Sequence, residues 1–137
     1  MNLIQMEIEA RSYIQAFDWC PPIHKVSLGY GAPDVIGLFH FEFTRAIDET
    51  DRELWVVVGD LPGAYFVYEG NEKPGIALEQ YCVLMEEWAV AARDGESVDE
   101  CFPVDAEPTP EHAEMLLERI DFIRTELIPA ASPDAGE

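Results

Sequence analysis

The segment Val35 to Arg45 has the sequence VIGLFHFEFTR, which predicts the first strand of the fold. Its side chains alternate between two faces, one of which carries the phenylalanines while the other carries His40 and Glu42. A period of two residues is typical of a β-strand that covers a core with one face. The side chains that we predict to face the core are Phe39, Phe41 and Phe43.

Two further apolar stretches predict a sheet of three strands. The run LWVVV, residues 54–58, is apolar on both faces, as expected of a central strand that is covered on both sides. The run AYFVYE, residues 64–69, is rich in aromatic and β-branched residues, which favour extended structure. Between them lies DLPG, residues 60–63, whose proline and glycine are typical of a tight turn. We therefore predict a hairpin here and a three-stranded antiparallel meander overall.

A first amphipathic helix is predicted before these strands. Residues 3–17 place apolar side chains at steps of three and four, with polar side chains opposite. Pro21 and Pro22 end this helix, because a proline ring is not tolerated in a helix interior. The segment Gly29–Asp34 contains two glycines and a proline, which indicate a turn.

Two amphipathic helices are predicted after the strands. Pro74 stands at the start of an apolar stripe with helical spacing, and Gly95 stands where a glycine commonly follows the end of a helix. Thr109 is the predicted N-cap of the last helix, which extends to about Ile128. Pro129 is predicted to stop it. The complete order is therefore α-β-β-β-α-α.

This grouping of strands and helices predicts the α+β class, with the meander packed against the amphipathic helices. The chain has 137 residues, which is close to the commonest size of one domain, and it is 48% hydrophobic. That apolar content is too high for an intrinsically disordered chain. We expect a single domain over residues 1–128 and a flexible acidic C-terminal tail over residues 129–137.

Negative charge is concentrated in the C-terminal half. The formal net charge is −20, and residues 74–137 contain 16 Asp and Glu against three Arg. A field of this sign repels nucleic acid and anionic lipid and attracts basic protein surfaces. We therefore expect no nucleic-acid partner, no membrane partner and, in their place, a basic protein.

The cysteines and the N-terminal residues predict a cytoplasmic protein. The three cysteines form no CxxC pair and leave one unpaired, which argues against a disulfide framework and favours a reducing compartment. Residues 1–17 have no basic leader region and are interrupted by charged side chains, so we expect neither a signal peptide nor a membrane span there.

His40 and Glu42 are the candidate catalytic residues. Two positions apart on a strand, they project to one face at roughly 6.5 to 7 Å along the chain. A carboxylate there could orient an imidazole for acid–base chemistry, while the alternative is a polar pair on a half-solvated sheet face. The acidic connection over residues 48–53 lacks the spacing of a calcium-binding loop, and we predict no metal and no cofactor.

Nine acidic residues form the candidate binding surface. Four of them recur at steps of three and four, so they share one face of the last helix, and five belong to the loop before it. The nine residues are Glu96, Asp99, Glu100, Asp105, Glu107, Glu111, Glu114, Glu118 and Asp121. Such a surface either keeps the chain soluble or attracts Lys and Arg of a partner.

Two functions of different classes follow. The first is a small acidic cytoplasmic interaction protein that binds a basic protein, as an inhibitor, an immunity protein or a regulator does. The alternative is a small-molecule binding or catalytic domain with a pocket near His40, Glu42, Trp55 and Tyr65. Homodimerisation through exposed aromatic side chains is a third alternative. We expect binding rather than catalysis.

Overall fold

The computed structural model describes residues 2–48, 51–70, 73–104 and 106–131. The chain forms two compact units, Met1–Glu72 and Lys73–Glu137. The elements of the first unit are α1 (Leu3–Gln15), β1 (Ile23–Ala32), β2 (Ile36–Phe43), β3 (Glu53–Gly59) and β4 (Ala64–Val67). Those of the second are α2 (Pro74–Arg93), α3 (Pro110–Phe122), a π-helical turn (Ile123–Leu127) and α4 (Ile128–Ala131). The class is α+β, as predicted, while the single domain over residues 1–128 stays a prediction.

The sheet has four strands, so the predicted count of three is wrong. The strands are antiparallel neighbours in the order β1-β2-β3-β4. The additional strand β1 includes Gly29 to Ala32, for which the sequence predicts a turn. The actual turn follows it at Pro33–Val35, where Asp34 has a φ of 67°. The order therefore gains a strand between α1 and the phenylalanine-rich strand.

Close packing explains why a glycine lies inside β1. A Cβ atom on Gly29 would lie 2.7 Å from Cζ3 of Trp55, so no larger residue fits there without movement of the ring. Glycine within a strand commonly marks such a close approach. The register against β2 also shifts between Leu28 and Tyr30, and this irregularity interrupts the alternation from which a strand is recognised.

The core of the first unit lies between α1 and one face of the sheet. The predicted direction of the three phenylalanines is confirmed, because all of them are buried in this cluster. The buried members of the cluster are Met6, Ala10, Ile14, Phe39, Phe41, Phe43, Leu54, Val56 and Val58. Asn2 is the N-cap of helix α1. Its side chain accepts a hydrogen bond from the backbone N–H of Gln5, while the Gln5 side chain accepts one from the Asn2 N–H.

The opposite face of the sheet is also largely buried. Leu54 to Val58 are all buried, which confirms the prediction of a central strand that is covered on both sides. On this second face, Leu38 and Trp55 are buried apolar neighbours of the partly exposed His40 and Glu42. Polar side chains therefore lie at one end of an otherwise apolar surface.

The helices of the second unit begin where the sequence predicts. Pro74 opens α2, and Gly95 follows its end with a φ of 73°. Thr109 caps α3, because its Oγ1 accepts a hydrogen bond from the backbone N–H of His112. Among the helices of the described segments, none combines the length and the apolar character that a membrane crossing requires.

The prediction that Pro129 stops the last helix is wrong. The chain passes through the π-helical turn, in which Ile128 N–H bonds to the carbonyl of Ile123, and then continues as α4 to Ala131. This longer hydrogen bond changes the helical register immediately before the proline. The predicted flexible tail lies largely outside the described residues, since 132–137 are not among them.

Candidate functional site

Two strands of the first unit bring a histidine and two glutamates together. In the register of β2 and β3, His40 lies opposite Trp55 and Glu42 lies opposite Glu53. Alternation along each strand places all four side chains on the same face of the sheet. The predicted pair of His40 and Glu42 therefore gains a second carboxylate from the neighbouring strand.

His40 is held by a carboxylate and by an aromatic ring. Its Nε2 lies 2.7 Å from Oε1 of Glu53, a short hydrogen bond that becomes an ion pair when the imidazole is protonated. Tyr68, just beyond the end of β4, stacks on the imidazole with a centroid distance of 3.9 Å and an interplanar angle of 20°. The side chain of His40 is 17% exposed and that of Glu53 is 38% exposed, so the pair is open to small ions and solvent.

The three polar side chains form one cluster. A ring nitrogen of His40 and one carboxylate oxygen each from Glu42 and Glu53 all lie within 4.8 Å of one another. One imidazole and two carboxylates can exchange a proton, or they can bind a divalent cation. Of the four residues predicted to surround a pocket, the structure brings His40, Glu42 and Trp55 together here.

Tyr65 does not belong to this cluster. It pairs with Val56, whose side chain lies in the core cluster on the other face of the sheet. There its ring contacts Phe17 and Trp19 at centroid distances of 5.1 Å. A shift of one residue along a strand changes the face on which a side chain lies.

Tyr68 and Glu53 were not predicted from the sequence. Tyr68 was available from alternation, because it lies an odd number of residues after Tyr65 and therefore on the opposite face. Glu53 could not be found from alternation. Its place beside His40 depends on the register of two strands that are separated by a long connection.

A cavity of about 390 Å³ lies elsewhere in the first unit. Trp19, Tyr65 and Phe66 form aromatic walls, while Asp48 and Asp51 contribute carboxylates. Next to it, burial and then the neighbouring Tyr65 raise the pKa of Tyr13 to about 12. This cavity contains Tyr65 but not His40, so the four residues of the predicted pocket are divided between two places.

The acidic surface predicted in the second unit is open to solvent. The structure describes eight of its nine residues, and all eight are exposed, whereas Asp105 lies outside the described residues. Glu111, Glu114, Glu118 and Asp121 project from one side of α3, opposite its buried stripe. The remaining four lie in the connection between α2 and α3.

Two large apolar side chains lie among these carboxylates, and the sequence analysis missed them. Met115 is 51% exposed and Phe122 is 44% exposed. They are seven residues apart, which is two helical turns, so they lie on one line along α3 with Glu111 and Glu118. Both fall outside the apolar stripe of the helix, and this is the sequence signal that would have found them.

Comparison of the chain with protein-family models, with curated proteins and with solved structures finds no match.

Proposed function

We propose that this chain is a small acidic interaction protein that binds a basic protein partner through the exposed face of α3. The observation that carries the proposal is the pair of exposed apolar side chains, Met115 and Phe122, within a row of exposed carboxylates. Apolar anchors surrounded by charge are the usual composition of a binding surface for an oppositely charged protein.

The charge and the apolar anchors have separate roles in this proposal. The carboxylates of Glu111, Glu114 and Glu118 repel one another along the helix, and each pair destabilises the helix by a few tenths of a kcal/mol. Lysine or arginine side chains of a partner would remove that repulsion and raise the association rate. Met115 and Phe122 would supply buried contact area, which is the part of an interface that slows dissociation.

A role in solubility would explain the exposed carboxylates of α3 but not the apolar side chains among them. A face that serves only solubility has no need for two large apolar side chains spaced two turns apart on the same line. The exposed acidic residues Glu96 to Glu107 of the preceding connection, as far as the structure describes them, would extend the charged rim. The partner would accordingly present basic side chains around an apolar patch, as a target of an inhibitor, immunity or regulatory protein does.

The cytoplasm is the proposed compartment. Cys20, Cys82 and Cys101 are free thiols in the structure, and free thiols are usual in a reducing environment.

The test is a capture experiment with matched charge variants. Tagged wild-type chain is incubated with lysate, eluted in rising salt and analysed by mass spectrometry. The variant Glu111→Lys/Glu114→Lys/Glu118→Lys should lose a basic protein that the wild type retains at low salt. The control Glu9→Lys/Asp18→Lys/Glu69→Lys changes net charge equally at exposed positions of the first unit and should retain it. Equal loss in both triple variants would contradict the proposal, because binding would then follow net charge and not this face.

Small-molecule binding is a second candidate function, supported by the cavity of about 390 Å³. That volume lies within the usual range of ligand sites, roughly 300 to 1,000 Å³. Aromatic walls together with Asp48 and Asp51 favour an organic cation. Quenching of tryptophan fluorescence by an aromatic amine, lost on Trp19→Leu, would support this function, and an unchanged signal would reject it.

A further inference from the structure

The cluster of His40, Glu42 and Glu53 has the composition and spacing of a metal site. Its three ligand atoms lie within 4.8 Å of one another, and one pair is already 2.7 Å apart. Bonds of about 2.0 to 2.2 Å to a zinc-like ion place ligand atoms about 3 to 3.5 Å from one another. The separations in the cluster are close to that range.

We propose that His40, Glu42 and Glu53 bind a divalent first-row transition metal ion of the zinc class. The imidazole favours such an ion over Mg²⁺ and Ca²⁺, which prefer oxygen ligands alone. The two carboxylates favour a borderline divalent ion over a soft monovalent one, since no thiolate is part of the cluster. Three protein ligands leave a coordination position for water, which is the arrangement of catalytic zinc sites.

The strand register gives an independent reason to expect a cation here. Glu42 and Glu53 lie directly opposite each other on β2 and β3, and like charges in that position destabilise a sheet. Lys25 lies opposite Glu42 on β1, but it is exposed, so it offsets the repulsion only weakly. A divalent ion between the two carboxylates would turn the repulsion into attraction.

Neighbouring aromatic rings restrict the movement of the histidine. Tyr68 stacks on the imidazole, and Trp55 lies 5.6 Å from it between ring centroids. The ligands themselves project from strands, which hold side chains more accurately than loops do. The site would therefore need little reorganisation to bind a metal.

The test is a titration of the full-length chain, freed of tag and treated with chelator, with ZnCl₂ in a calorimeter. One ion per chain should bind with micromolar or tighter affinity. Glu42→Gln and Glu53→Gln keep the side-chain shape and should each weaken binding at least about 100-fold, because loss of an outer-shell partner alone commonly costs 10- to 100-fold. His40→Asn should do the same. The matched controls Glu9→Gln and His24→Asn change exposed residues of the same unit and should bind as the wild type does.

Two further readouts distinguish this site from metal bound elsewhere. Zn²⁺ should raise the melting temperature of the wild type and not that of Glu53→Gln, because a ligand stabilises only the state that binds it. Bound Co²⁺ should show visible d–d absorption without the intense near-ultraviolet band of a thiolate ligand. The proposal is overturned if the wild type binds no ion, if the ligand variants bind as tightly as the wild type, or if Co²⁺ shows thiolate coordination.

Discussion

Arg124 is predicted to be the most important charged side chain for the stability of the second unit. It lies in the π-helical turn and donates hydrogen bonds from Nε and Nη2 to Glu79 of α2, at 3.1 and 2.9 Å. It also donates from Nη1 and Nη2 to Glu86, at 2.8 and 3.3 Å. The two glutamates are seven residues apart, so they lie on one face of α2. The guanidinium of Arg124 therefore joins the π-helical turn to two turns of α2.

The change Arg124→Met removes this charge and keeps most of the apolar stem. The side chains of Arg124, Glu79 and Glu86 are 29%, 47% and 42% exposed, so solvent screens both pairs. Exposed pairs contribute about 0.2 to 1 kcal/mol each, and forked geometry favours the upper part of that range. We expect a loss of about 1 to 2 kcal/mol at pH 7, measured by urea unfolding.

The pH dependence of this loss has a definite sign. The hydrogen bond from Arg124, more than the opposing effect of burial, lowers the pKa of Glu86 below its ordinary value of 4.5. A carboxylate whose pKa is lower in the folded state contributes stability above its unfolded pKa and loses it as the pH falls. The difference between wild type and Arg124→Met should therefore shrink as the pH falls below 4.5.

The control is Arg124→Lys, which keeps the charge but lacks the fork and should recover only part of the stability. A loss for Arg124→Met below about 0.3 kcal/mol at pH 7, in the range of an unimportant surface substitution, would show that Arg124 does not stabilise the second unit. The same conclusion would follow if the loss of stability at pH 3, or in 1 M salt, were as large as the loss at pH 7 in low salt. Protonation of the glutamates and screening by salt each weaken an ion pair.

Three further predictions concern backbone and thiol groups. Gly59 has a φ of 143°, and an added Cβ would collide with the carbonyl oxygen of Val35. Gly59→Ala should therefore lower the free energy of unfolding by at least about 2 kcal/mol. Urea unfolding that shows no change in this free energy would contradict the prediction. Asn2→Ala removes the capping box of α1 and should cost about 1 kcal/mol, with Asn2→Asp as the control that preserves the cap. Burial, the largest cause, raises the pKa of Cys82 to about 12 and also raises the pKa of Cys20, which is less deeply buried. At pH 8 iodoacetamide should therefore modify Cys20 slowly and leave Cys82 unmodified until the chain unfolds. Mass spectrometry that finds Cys82 modified in the native state at the same rate as Cys20 would refute the third.

Local patterns were sufficient to predict the elements that depend on periodicity. Phe39, Phe41 and Phe43 indicated a strand and its buried face because alternation is a property of neighbouring residues. The two ends of α2 could also be predicted from neighbouring residues, since Pro74 marks its start and Gly95 follows its end. The α+β class followed from the grouping of these elements.

Features that depend on distant residues were not predictable. Gly29 lies in β1 because Trp55, on another strand, comes within contact distance, and the sequence of β1 alone indicates a turn. Glu53 reaches His40 only through the register of β2 and β3. The sequence therefore located two of the three residues of the candidate cluster, His40 and Glu42, and cross-strand pairing supplied Glu53.

Hydrogen–deuterium exchange of the complex can show whether a basic protein binds the exposed face of α3. With the captured partner bound, we expect slower exchange over residues 110–127 and in the connection that precedes α3, and crosslinks to the partner from Glu111 and Glu118. Binding should also weaken when Met115 and Phe122 are replaced by serine. Protection confined to residues 2–70, with α3 unchanged, would show that the partner does not bind this face.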